Sequence, residues 1–177
     1  MEADLSAGAA AIAMATPVGR KRQTMLYGLA LLAGIVAGSR ALTAPAAASW
    51  AARLGALNLG GSWLAFMGYA WTPWIFTALA LIELITDQLP STPSRKVPMQ
   101  FGARIVTGAL SGATLGASGS SWIVGLIAGV IGAVIGTYGG AEVRARMAKA
   151  FGRDLPAALI EDAGAIVLGL VIVVAAR

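Results

Sequence analysis

Apolar residues fall along this chain in five long runs, separated by short stretches that hold most of the charge and proline. The runs predict helices at about 24–42, 63–89, 99–117, 122–141 and 156–176, each near the roughly 20 residues that a hydrocarbon core requires. Within them, small residues recur every three or four positions. Ala30, Gly34 and Gly38 mark the first run, Gly108, Gly112 and Gly116 the third, and Gly125, Gly129, Gly132, Gly136 and Gly140 the fourth. Such ridges let helix backbones approach closely. They predict glycine-zipper packing, with the third and fourth runs as a tight hairpin.

Between the first two runs, Gly38–Trp50 reads GSRALTAPAAASW. Pro45 removes a backbone donor and breaks a helix that would otherwise continue. Two readings of this stretch remain open. In one, Arg40 snorkels to the interface and residues 44–57 form an interfacial or re-entrant helix. In the other, Arg40 points inward at a broken helix and meets an anion or a carboxylate. The second run begins with Trp63, Tyr69, Trp71 and Trp74, which read as an interfacial aromatic belt. Thr72-Pro73 is expected to kink it or divide it.

Composition agrees with this pattern. The chain is 58% hydrophobic and 12% charged, with a mean hydropathy of +0.78, whereas soluble domains carry about a quarter charged residues. The expected class is an all-α, polytopic transmembrane helix bundle of about five spans, plus the interfacial or re-entrant piece. Residues 1–22 form an expected flexible cytoplasmic tail, and residues 23–177 a single transmembrane domain. Arg20, Lys21 and Arg22 before the first run imitate a signal peptide, but an uncleaved first span is the reading adopted. The formal charge of +5 sits in the connections. That placement indicates membrane orientation rather than nucleic-acid binding.

Cysteine and histidine are both absent, which removes thiolate and imidazole chemistry. No nucleophile and base spacing stands out, so no catalytic residue, metal or cofactor is expected. The charges within the apolar runs are the candidate chemistry, because charged side chains in hydrocarbon are costly and mark functional sites. Glu83 and Asp87 share one helical face, four residues apart. Their like charges call for a shared proton, a cation or an arginine. Arg104 enters the third run, while Glu161 and Asp162 enter the last. Adjacent helical positions point about 100° apart, so these two are expected not to face one partner. The loop Pro90–Pro98 adds Thr92, Ser94, Arg95 and Lys96. Glu142–Asp154 reads as an amphipathic connection on the membrane surface.

With five spans, Arg20–Arg22, Arg95 with Lys96, and Arg144–Arg153 fall on one side. The positive-inside rule then makes the N-terminus cytoplasmic and the C-terminus periplasmic. Glu83 and Glu161 would each lie about 10 Å inside their helix ends, and this common depth is the main functional signal. The expected function is a small transporter or channel in which Glu83, Asp87, Glu161 or Asp162 holds an ion, proton or small solute, with Arg104 or Arg40 as countercharge. The alternative is a structural or assembly protein whose buried charges are only paired. The lipid bilayer is the expected partner, and a homo-oligomer a further candidate.

GSRALTAP, the segment from Glu83 through Asp87 to Thr92–Arg95, Arg104 with its glycine ridge, and Glu161-Asp162 together resemble a bacterial integral-membrane family, labelled domain of unknown function number four-one-two-six. The resemblance covers Met25–Val174. It implies a polytopic fold in the bacterial inner membrane and no particular substrate. Gln88 stands where that family commonly has a basic residue.

Overall fold

The computed structural model describes residues 16–87 and 97–177, and these are helical with no strand among them. Six α-helices are formed: α1 Pro17–Ser39, α2 Thr43–Arg53, α3 Thr72–Thr86, α4 Pro98–Ser118, α5 Trp122–Phe151 and α6 Asp154–Ala175. A 3-10 helix, Trp63–Gly68, precedes α3. Local chemistry sets several boundaries. Thr16 caps α1 by accepting from the Gly19 amide at 3.1 Å, and Ser121 caps α5 through the Val124 amide. Gly152 ends α5 at φ +67°, a left-handed conformation that costs glycine little.

α1, α4 and α5 form the tightly packed heart of the bundle. Gly129 of α5 lies between the other two, and its position shows why. A Cβ there would collide with the Gly108 carbonyl of α4, and a Cβ on Gly34 of α1 would collide with the Gly129 carbonyl. Only hydrogen atoms fit at these crossings, so backbone packs on backbone.

α2 corrects one reading of the sequence. It is no interfacial helix: Ala44, Ala46, Ala47, Ala48, Ser49 and Ala51 are buried, and it returns through the interior beside α1. The expected second span, 63–89, is divided into the 3-10 helix and the 15-residue α3, as Thr72-Pro73 suggests. Residues 142–151 are also corrected, since they continue α5 rather than forming a separate surface connection. α1 begins at Pro17, so residues 17–22, assigned above to the tail, are helical.

The return of α2 changes the topology. At the amino end of α1, Arg22 donates to the Ala56 carbonyl, Gln23 to Ser120 and Tyr27 to the Gly119 carbonyl. The end of α2 and the α4–α5 turn therefore share one end of the bundle with Arg20–Arg22. Trp63 and Trp122 meet there edge to face at 6.0 Å. The carboxyl ends of α1 and α3, the entrance of α4 and the α5–α6 junction lie at the opposite end, where their charges meet. α6 runs parallel to α2, with Gly169 beside Thr43 and Ala47. Both ends of the bundle domain, Pro17 and Ala175, consequently lie at the same end. The five-span arrangement had placed them on opposite sides, because it did not count α2 as a passage.

Among the described residues, two helices, α5 and α6, are long and apolar enough to cross a membrane, fewer than the five expected. The reason is compositional. α1 and α4 have 23 and 21 residues, about 34 and 31 Å long, but arginine, glutamine, glycine, serine and threonine lower their mean hydropathy.

A buried charge centre at the break between α1 and α2

α1 stops at Ser39 because Arg40 adopts extended backbone, φ −136° and ψ 106°. α2 resumes at Thr43 with no side-chain cap of its own. Helix starts leave amide donors without intrahelical partners, and Glu83 of α3 supplies the missing acceptors. Its Oε1 accepts from the Ala41 amide at 2.6 Å and its Oε2 from the Leu42 amide at 2.7 Å. Both oxygens of one carboxylate thus hold the break open, and the positive end of α2 lies against a negative group.

Arg40 corrects the snorkelling alternative, since it is fully buried. Its Nε donates to Asp162 Oδ1 at 2.5 Å and its Nη1 to Asp87 Oδ2 at 2.6 Å. Nη2 lies 2.5 Å from Asp162 Oδ1 and 3.8 Å from Glu161 Oε2. One guanidinium thereby joins α3 to α6. The expectation that Glu161 and Asp162 cannot face one partner is overturned by geometry, because the planar, multi-donor head reaches both from between them.

Arg104, also buried, donates from Nη1 to the Ser39 carbonyl at 2.7 Å and to the Gly38 carbonyl at 3.2 Å. These are carbonyls left exposed where α1 ends. Its Nη2 stands 3.7 Å from Asp87 Oδ2, so Asp87 is shared by two arginines. Glu83 and Asp87 therefore do different work despite sharing a face: one binds backbone and the other binds guanidinium.

Two members lie outside the residues singled out in the sequence. Arg144 of α5 reaches Glu161 Oε2 at 3.4 Å and grips Asp154 through both carboxylate oxygens, Nε to Oδ1 at 3.0 Å and Nη2 to Oδ2 at 2.6 Å. Reading Glu142–Asp154 as a surface connection hid Arg144, and nothing in its local spacing distinguishes it from Arg146 or Lys149. Arg40, Glu83, Asp87, Arg104, Glu161 and Asp162 are all brought to one end of the bundle. Thr92, Ser94 and Arg95 lie outside the described residues.

Among the described residues, three guanidinium groups, Arg40, Arg104 and Arg144, thus gather with five carboxylates, Glu83, Asp87, Asp154, Glu161 and Asp162, Asp154 being the most exposed of those in ion pairs with them. Buried charges persist only when paired and hydrogen-bonded. No protein-family model matches the chain, and neither curated proteins nor solved structures give a match to it.

Proposed function

We propose that this chain is a multi-pass membrane protein and that the Arg40 centre is a site of proton or small-cation exchange in a small transporter or channel. The membrane reading draws on the outer faces of α5 and α6. Only 33% of each apolar window is buried, and Ile123, Ile127 and Ile131 on α5, with Ile166, Leu170 and Val174 on α6, are exposed. A water-soluble monomer rarely shows so large a continuous apolar surface. α1 and α4 complete the spans from the interior, where facing other helices relaxes the need for an apolar surface. The resemblance to the four-one-two-six family adds a bacterial inner-membrane setting.

The observation that carries the exchange reading is the convergence of Asp87, Glu161 and Asp162, from α3 and α6, on a fully buried Arg40 at a helix break. In a low-dielectric surrounding, carboxylates gathered this closely favour the uptake of a proton or a cation. A second reading, a structural centre that only fastens helices together, is favoured by the close pairing of Arg40 with Asp87 and Asp162.

Proteoliposomes holding the full chain separate the two. Under the exchange reading, Asp162→Asn and Glu161→Gln abolish pH-dependent or cation-dependent flux while the protein still folds and inserts. Loss of folding in both variants, or the absence of flux from the unaltered protein across protons and monovalent and divalent cations, would leave the structural reading.

A further inference from the structure

The two ends of the bundle differ in charge. Among the described residues every carboxylate side chain, Glu83, Asp87, Glu142, Asp154, Glu161 and Asp162, lies at the end that holds the charge centre. There Arg144 is paired with Asp154 and Arg146 with Glu142, so much of the positive charge is matched locally. At the other end, Arg20, Lys21 and Arg22 open α1, Arg53 closes α2 and Arg177 follows α6, all of them exposed. No acidic side chain stands beside them within the described residues. Cations gathered without carboxylates repel one another and set up a positive field that draws an anionic neighbour.

Aromatic rings are distributed just as unevenly. Trp63, Tyr69, Trp71, Trp74 and Trp122 are all exposed, and all belong to the cationic end. Gln23 donates to Ser120, so Arg20–Arg22 stand level with Trp122 or just beyond it. Gly68 packs against Ala52, the residue before Arg53, which sets Tyr69 and Trp71 at the level of that arginine. Trp74 lies against Trp50, with ring centroids 5.0 Å apart, one turn further in. Tryptophan and tyrosine settle at headgroup depth in a bilayer, while arginine and lysine extend their charged heads past apolar stems. Rings and cations together bracket the level at which a phospholipid carries its phosphate.

We propose that the cationic end of the bundle binds phospholipids with net negative headgroups, their phosphates seated between the ring belt and Arg20, Lys21, Arg22 and Arg53. Arg22 is already positioned by its bond to the Ala56 carbonyl, and a guanidinium has five N–H donors, so one such bond leaves others for a phosphate. Anionic lipid surfaces attract basic segments of this kind. An acidic protein would meet the cations but has no use for exposed rings at the same depth, and lipid is therefore the occupant this surface fits. The assignment rests on the membrane reading of the chain and stands whether or not the charge centre exchanges ions.

The test uses the full chain in vesicles that mix phosphatidylcholine with phosphatidylglycerol, one or the other carrying brominated acyl chains that quench tryptophan fluorescence. Every tryptophan of the chain lies toward the cationic end, so the signal reports on the lipids beside it. Phosphatidylglycerol is expected to be preferred by about fivefold, the equivalent of one lysine or arginine at an anionic surface. The preference is expected to fall to parity at about 1 M salt, where charges are screened within about 3 Å. Arg20→Gln, Lys21→Gln and Arg53→Gln combined are expected to remove it, whereas Lys149→Gln with Arg153→Gln, at the opposite end, keep it. If the triple variant does not fold, the salt series on the unaltered protein decides alone. Equal quenching by the two lipids, a preference that survives high salt or the triple substitution, or its loss in the Lys149 and Arg153 variant would overturn the proposal. Release of the chain from phosphatidylcholine vesicles by alkaline extraction would overturn the membrane reading, and this proposal with it.

Discussion

Arg40 and Asp162 stand 122 positions apart in the chain, yet the Arg40 Nε donates to Asp162 Oδ1 at 2.5 Å. This contact joins the break after α1 to α6, and the same guanidinium holds Asp87 of α3 at 2.6 Å. Removing one member leaves the others charged and desolvated. Arg40→Gln is therefore expected to lower stability by about 3–5 kcal/mol, measured by reversible unfolding in mixed micelles. A cycle with Asp162→Asn is expected to show coupling of about 0.5–3 kcal/mol. Additive effects would mean that the pair contributes nothing beyond its separate members.

Glu83 acts on backbone rather than on a countercharge, so its substitutions should rank differently. Glu83→Gln keeps one acceptor oxygen for Ala41 or Leu42, while Glu83→Ala keeps none. The expected loss for Glu83→Ala is about 1–2 kcal/mol, similar to removing a helix cap, and smaller for Glu83→Gln. Hydrogen exchange at the Ala41 and Leu42 amides is expected to accelerate in the same order. Unchanged exchange at both would remove Glu83 from its capping role.

The crossing at Gly129 predicts a steep response to size. A side chain there meets the Gly108 carbonyl on one side while its own backbone abuts Gly34 on the other. Overpacking costs about 1–3 kcal/mol where neighbours can shift, and backbone shifts less easily than side chains. Gly129→Ala is expected to reach the upper part of that range and Gly129→Leu to prevent assembly, whereas Gly139→Ala, with open space around it, is expected to be neutral. Thermal unfolding of the three variants checks the ranking.

The bundle topology is accessible because the chain contains no cysteine. Single cysteines at Thr16 and Arg177 are expected to react with an impermeant maleimide from one face of oriented vesicles, and a cysteine at Lys149 from the other. Reaction of Thr16 and Arg177 from opposite faces would restore the five-pass arrangement.

Helices with strong apolar runs and glycine spacing were readable from sequence, and so was the presence of charge within them. α2 was not, since its 11 residues are mostly alanine and its burial depends on α1, α3 and α6 surrounding it. That single omission reversed the relation between the two ends of the chain. The small-residue ridges pointed to close packing, but spacing within one helix does not name its partner, and Gly129 serves α4 and α1 at once. The charge centre was legible as a set of costly residues. Its wiring was not, because the division of labour between Glu83 and Asp87 depends on an extended Arg40 backbone that exposes the Ala41 and Leu42 amides. Arg144 escaped notice because α5 continues past its apolar run.

Since Pro17 and Ala175 lie at a common end of the bundle, two copies can be encoded as one tandem gene product joined by a short hydrophilic tether. Such a concatemer would let a defect be placed in one half while the other stays intact.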